Sequence, residues 1–234
     1  MVEENDQEYI QVIKVFVGYD SREAIAYHVF CQSIIENSKQ PVSFIPLSLD
    51  MLSQYTEQHT DGSNDFIYSR FLVPYLCDFD GWAIFADGDM ICLDDIGELY
   101  KLRDDKFAVM VVKHDYITKA KSKYLGNKNE NYPRKNWSSV ILWNCNHEKN
   151  KVLTPELVSQ KPGSYLHRFS WLDDELIGEL PSSWNWLAIE YPDNNEANII
   201  HYTLGTPCFK DYSETSHSDL WYKYYSRLNS GIEE

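Results

Sequence analysis

The sequence predicts an α/β fold, and three observations carry that prediction. A short apolar run, Val12 to Val17, breaks at Gly18-Tyr19-Asp20-Ser21. Ile25, Val29 and Ile34 then recur at helical spacing over 22–37, and Val42 to Leu47 forms a second apolar run. Strand, turn, helix, strand is the opening of a doubly wound nucleotide-binding sheet. The third observation is the run Trp82 to Ala86. It ends in Asp87-Gly88-Asp89, and apolar residues resume at once. Ligands of such sheets bind beyond the carboxyl ends of the strands, where Tyr19-Asp20 and Asp87-Asp89 would both lie.

The remaining elements follow in order. Asp20 or Ser21 is placed to cap the first helix. Residues 61–65 read as a loop, and Phe66 to Leu76 as a helix carrying Arg70. Phe107 to Lys113 reads as a strand, followed by Lys113-His114-Asp115. Residues 118–136 hold Lys119, Lys121, Lys123, Lys128, Arg134 and Lys135 among many Asn, with Gly126 and Pro133. That composition cannot build a core. It predicts a long exposed, mobile segment, either one at the acceptor side that orders when ligand binds or a solvated surface loop with no part in catalysis. Ser138 to Trp143 is strand-like. Thr154 caps a helix with Pro155 at its first position. Asp173 to Leu180 is a short helix or turn, 181–185 a loop, 198–201 a strand and 220–228 a terminal helix. No repeat or linker interrupts this, so residues 1–234 are expected to form a single domain, with 1–10 flexible.

Composition narrows the function. The chain has 234 residues, 43% of them hydrophobic, and a net charge of −15. That charge argues against nucleic acid or an anionic membrane as partner. An anionic ligand bridged by a metal remains compatible, because the cation supplies the positive charge. The 7 Trp and 17 Tyr suit a core, and also suit surfaces that stack on sugars. The five cysteines are scattered with no CxxC pair, so neither a zinc site nor a disulfide framework is indicated. Met1 to Gln7 has no signal-peptide core, and no apolar run is long enough to span a bilayer. A soluble, cytoplasmic protein is expected.

The chemistry centres on Asp-Gly-Asp. Two carboxylates one residue apart at a strand end can face one hard cation, Mn²⁺ or Mg²⁺, that keeps positions open for phosphates. An acidic turn between strands is the competing reading. Such a cation acts as a Lewis acid on a diphosphate leaving group. A neutral His201 imidazole can complete its coordination, or His201 is a satisfied histidine at a strand end. Arg70 neutralises phosphate or braces Asp87, and otherwise forms a structural ion pair. Tyr19 offers a face for a base unless it is core, and Asp20 can accept from a base N–H. Lys210 is a phosphate contact or a surface lysine.

These pieces, taken in order, resemble a GT-A glycosyltransferase, most closely the glycogenin and bacterial galactosyltransferase-like group, glycosyltransferase family eight. Val15-Phe-Val-Gly-Tyr-Asp20 looks like the nucleotide-binding strand and turn. Tyr68-Ser69-Arg70-Phe71 looks like the Tyr-Ala-Arg helix, and Ala86-Asp-Gly-Asp89 the metal motif. Ser138-Ser-Val-Ile-Leu-Trp-Asn144, Asp173-Asp174, Leu180-Pro-Ser-Ser-Trp-Asn185 and His201-Tyr-Thr-Leu-Gly205 follow in the family's order. The departures are Trp137 in place of Asn, Asp173 in place of Gln, and Gly205-Thr-Pro-Cys-Phe-Lys210 in place of Gly-x-x-Lys-Pro-Trp.

The resemblance implies a single GT-A domain, a Rossmann-like α/β/α sandwich with a mixed central sheet. It implies Mn²⁺ or Mg²⁺ on Asp87, Asp89 and His201. It places a nucleotide-diphosphate sugar, UDP-linked, on Val17, Gly18, Tyr19, Asp20, Arg22, Arg70, Asp87, Gly88 and Lys210. Asp173 and Asp174 then serve the anomeric centre, although adjacent Asp at a helix start are also good caps. Lys113, His114, Asp115, Trp137 and Trp184 line the side of a hydroxyl acceptor, or are core in the case of the Trp residues. Transfer with retention follows from the resemblance alone. Two other readings stand beside it. A nucleotidyltransferase would carry a Gly-rich basic loop after the first strand, which Gly18-Tyr-Asp-Ser-Arg-Glu lacks. A non-catalytic nucleotide-sugar-binding protein would not need Asp87, Asp89 and His201 intact.

Overall fold

In the first strand, Ile13, Val15 and Val17 alternate with Phe16, so both faces have to be covered. The computed structural model describes residues 11–229, and the expected flexible stretch 1–10 lies outside them. Strand β1 (Ile13–Gly18) is followed by a 3₁₀ turn at Ser21–Glu23 and by α1 (Ala24–Asn37). Asp20 caps the turn by accepting from the Arg22 N–H. Strand β2 (Val42–Leu47) returns parallel to β1.

Next come α2 (Val73–Leu76), β3 (Trp82–Ala86), β4 (Met90–Cys92), α3 (Ile96–Lys101), β5 (Val109–Val111) and β6 (Val140–Asn144). They are followed by α4 (Pro155–Gln160), α5 (Gly163–His167), β7 (Ile177–Glu179), β8 (Trp186–Leu187), β9 (Ile199–His201) and α6 (Ser218–Asn229). Thr154 caps α4 as expected, accepting from the Leu157 N–H.

The central sheet is mixed, with strand order β2-β1-β3-β6-β5-β7. Strands β1, β2 and β3 run parallel, and β6 is antiparallel to both β3 and β5. One face is covered by Phe16, Phe71, Phe85 and Trp143. The other is covered by Val15, Val17, Phe30 and Ile84. A small sheet, β4-β9-β8, packs with α1 and α6 through Val29, Ile200, Tyr202 and Trp221. No described helix is long and apolar enough to cross a membrane.

Several elements differ from expectation. The helix over 66–76 is a 3₁₀ turn at Ser69–Leu72 followed by a single α-helical turn. Pro74 has no N–H for the carbonyl of residue 70, so one helix cannot run through it. The strand expected over 107–113 is confined to Val109–Val111. Asp173 to Leu180 contains a strand: Ile177 and Gly178 are buried against β5, and Gly178 leaves room for the Phe107 ring. Residues 118–136 are less exposed than their composition implied. Thr118, Tyr124, Asn129, Lys135 and Asn136 are buried, and Ser122 and Lys128 form an antiparallel bridge.

Candidate active site

The carboxyl ends of β1 and β3 lie side by side, with Val17 opposite Ala86. Their next residues therefore meet. A Cβ on Gly88 would stand 2.3 Å from the Gly18 carbonyl oxygen, so this close approach admits only glycine. Gly18 is equally restricted, because a Cβ there would enter the Phe66 ring. The Asp87 N–H donates to the Ser139 carbonyl at 2.9 Å and extends the β3–β6 ladder into the motif.

The small sheet brings in the third side chain. Met90 pairs with His201, and the Tyr202 N–H donates to the Asp89 carbonyl at 2.9 Å. One ligand atom each from Asp87, Asp89 and His201 lies within 4.8 Å of the others. His201 Nε2 is 3.2 Å from Asp89 Oδ1 and 3.8 Å from Asp87 Oδ2. Its other ring nitrogen, Nδ1, contacts Asn185 Oδ1 at 2.9 Å. An amide oxygen only accepts, so Nδ1 carries a proton; in the neutral ring this leaves the Nε2 lone pair for a cation, and in the charged ring Nε2–H faces the carboxylates.

Oδ1 of Asp87 and Oδ1 of Asp89 are buried with no hydrogen-bond donor. Two buried carboxylates, each with an oxygen that accepts no hydrogen bond, and an imidazole nitrogen beside them fit a divalent cation of the Mn²⁺ type. Asn185 fixes the tautomer from behind, and such supports typically account for about 10–100-fold in metal affinity. Asn185→Leu is therefore expected to weaken Mn²⁺ binding by that order in a calorimetric titration, without unfolding the protein.

Arg70 braces the motif. Its Nη1 is 2.7 Å from Asp87 Oδ1, an ion pair without hydrogen-bond alignment, and it donates to the Ser138 carbonyl at 2.8 Å. Burial raises the Asp87 carboxyl to about 6, against the pull of Arg70, and the neighbouring Asp89 adds to the rise. Burial also works to raise Asp89, but the facing imidazole of His201 outweighs it and holds that carboxyl low.

Glu23 is a buried acid close enough to Asp89 to feel its charge, and sequence reading missed it. Burial first, then the charge of Asp89, pushes its carboxyl up to about 8. Tyr124 Oη donates to Glu23 Oε1 at 2.7 Å, and its ring stacks on Phe209. The carboxyl is therefore largely neutral at pH 7. Its folded pKa lies above the ordinary value of 4.5, so its stabilising contribution is complete below that value and lost as pH rises toward 8. Melting temperature in chelator should fall between pH 6 and 8, and Glu23→Gln should flatten that fall.

The other expected residues are placed unevenly. Val17 is fully buried, so only its backbone faces the turn. Tyr19 is half-buried with its ring edge-on to Tyr27 at 5.5 Å. The carboxylate of Asp20 is taken up by the Arg22 side chain and by the backbone N–H groups of Arg22 and Asp65. Burial works to raise Asp20, but these bonds hold it low.

Lys210 is exposed on a 3₁₀ turn. Asp173 and Asp174 are exposed and ion-paired with Lys149 and Arg134, and neither side chain caps the turn. On the expected acceptor side, Trp184 is a correction. It is 4% exposed and packs in the core with Leu180 and Ile199, so its indole offers no open face to a sugar. His114 is likewise buried, with Nδ1 against the Tyr191 hydroxyl at 2.8 Å, and burial lowers it to about 3. Trp137 is partly exposed and donates to the His114 carbonyl, with Lys113 over its ring. Asp115 is exposed.

No family model matches the chain. Among solved structures, the WbbM bifunctional glycosyltransferase superposes with a TM-score of 0.61 at 15% identity, over 94% of this chain and 50% of that one. GlyE of Streptococcus pneumoniae TIGR4 gives 0.60 at 14% identity, over 92% and 61%. The galactosyltransferase LgtC, in complex with donor and acceptor sugar analogs, gives 0.58 at 12%, over 94% and 98%. The chain thus spans half of WbbM and about three-fifths of GlyE. At these identities the shared property is the glycosyltransferase GT-A fold, with its mixed six-stranded sheet. Protein CDI of Arabidopsis thaliana is 43% identical over 225 residues, 92% of this chain and 87% of that protein, and the chain belongs to its family.

Proposed function

We propose that this chain is a single-domain, metal-dependent glycosyltransferase of the glycogenin-like group, moving a hexose from a UDP-sugar to a hydroxyl acceptor with retention. The observation that carries the reading is the Asp87-Asp89-His201 cluster, with its orphaned oxygens and tautomer-fixed imidazole, at the strand ends of a glycosyltransferase fold. A bound Mn²⁺ or Mg²⁺ would supply Lewis-acid stabilisation to the departing diphosphate.

The chain's own residues do the rest. Asp87, Asp89 and His201 hold the cation, and Arg70 keeps Asp87 in place. The turn at Val17, Gly18, Tyr19, Asp20 and Arg22 receives the nucleotide, with the Tyr19 ring beside the base. Gly88 lets the metal motif pack against the Gly18 carbonyl and so sets it beside the nucleotide turn, and Lys210 attends the diphosphate from the rim. Asp173 and Asp174 face the hexose, with Lys113, Asp115 and Trp137 toward the acceptor. In the transfer, the acceptor oxygen bonds to C1 of the hexose. The C1–O bond to phosphate breaks, its electron pair leaves with UDP, and the acceptor proton passes to a departing phosphate oxygen.

A thermal-shift panel of UDP-, GDP-, ADP- and CDP-sugars with and without Mn²⁺ tests this reading. UDP-sugars should raise the melting temperature only with metal, by mass action. Tyr19→Ala should weaken UDP binding while leaving Mn²⁺ affinity unchanged. Equal stabilisation by all four nucleotides, or by none, would overturn the assignment.

A further inference from the structure

A cavity of about 650 Å³ opens beside the cluster, walled by residues 61–68, 123–135 and 163–168. Its lining includes none of Asp87, Asp89, His201, Gly18 or Tyr19. In a chain of net charge −15, the wall of this cavity is cationic: Lys123, Lys128, Lys135 and Arg168 against Asp61 and Glu130. Asp61 is already engaged by the Tyr68 hydroxyl at 2.6 Å.

Two of the lysines are unusual. Lys135 is 5% exposed, and its ammonium donates to Asn129 Oδ1 and to the Glu130 carbonyl, each at 2.8 Å, while lying 4.9 Å from the Tyr132 ring centre. All three are neutral groups, so its charge is held without being neutralised. Lys123 is half-buried, and the opposite charges that act on it most are Asp89 and then Asp87 of the neighbouring cluster. Neither lysine forms an ion pair within 4.0 Å among the described residues. Of the two acids whose charge acts on Lys135, Glu190 accepts from the Thr118 hydroxyl and Glu130 is exposed. Taking the Lys135 ammonium out of water on neutral partners alone is costly, and Lys123 on the same wall repels it. An anion in the cavity would meet the Lys135 charge that its hydrogen-bond partners leave uncompensated.

We propose that Lys123 and Lys135 form an oxyanion site for the second substrate, so that the acceptor is a hydroxyl compound bearing a phosphate or carboxylate group. This rests on the transferase reading, in which the donor's diphosphate sits on the metal cluster and leaves this cavity to the acceptor. The lysines come from the segment between β5 and β6, and they give its expected place at the acceptor side a specific chemistry.

The test is calorimetry on the full chain saturated with Mg²⁺ and UDP, titrated with glucose 6-phosphate, glucuronate and glucose. Binding of glucose 6-phosphate or glucuronate at least tenfold tighter than glucose is expected, and whichever is preferred identifies the anion. Lys135→Met should remove that preference and Lys135→Arg should keep it, while the affinity for UDP with Mg²⁺ stays within twofold. Equal or absent binding of all three probes would overturn the proposal, as would a Lys135→Met variant that keeps the preference. The same titrations without nucleotide, beside a UDP–Mg²⁺ titration alone, separate the two ideas. Failure of UDP to bind sinks the transferase reading, whereas loss of anion preference with UDP bound sinks only the oxyanion site.

Discussion

Replacing Asp89 or His201 with alanine is expected to abolish metal-dependent sugar transfer, by on the order of a thousandfold or more, because several kcal/mol of leaving-group stabilisation disappear. The fold should survive. Asp89 is held by its backbone, through the Tyr202 N–H, and Asp89→Ala removes one of two like charges that crowd each other. His201→Ala leaves the β4–β9 pairing in place and frees Asn185. The measurement is Mn²⁺-dependent turnover of a UDP-sugar, with circular dichroism as the control for folding. Near-normal turnover in a folded variant would remove the residue from the ligand set.

Gly88→Ala is expected to have the second largest effect, for a different reason. Its Cβ would meet the Gly18 carbonyl oxygen at 2.3 Å, and that partner is backbone, which cannot swing aside. The ends of β1 and β3 would have to part, with a cost of about 1–3 kcal/mol typical of overpacking. The same displacement moves Asp87 and Asp89 relative to the nucleotide turn, and a shift of about 1 Å can cost a hundredfold in rate. A lowered melting temperature together with a large loss of UDP affinity is therefore expected. A variant as stable and as active as the parent would mean that the two turns are not in fixed contact.

Much of this was legible in the chain. Alternation in β1, the apolar run of β3 and the Asp20 cap are local signals, and local physics decides them. The pairing of Asp87 and Asp89 at a strand end was legible for the same reason. His201 was reached only through a motif, since nothing local distinguishes a ligand from a core histidine. Asn185 lay in plain view beside Trp184 in a quoted motif, but its role depends on a fold that sets it behind His201. Trp184 was misplaced because an indole has the same composition signal whether it faces a sugar or the core. The strand Ile177–Glu179 was hidden by the two aspartates before it, which read as a helix start. Lys123 and Lys135 were named only as two of six basic residues in their segment, because which of them is buried is a property of tertiary structure alone.

The pairing of β4 with β9 has a consequence for how the molecule assembles. Asp89 and His201 close a loop of roughly a hundred residues, one of the entropically slower contacts the chain makes. The central sheet can form without it. The candidate metal centre would then be completed late in folding and open first, and a divalent ion held by both strands would act as a clasp across that gap. Chelation should speed amide exchange in Met90–Cys92 and Ile199–His201 well before the β1–β3 ladder loses protection. In a cell, metal supply would then regulate the lifetime of the assembled protein as well as its turnover.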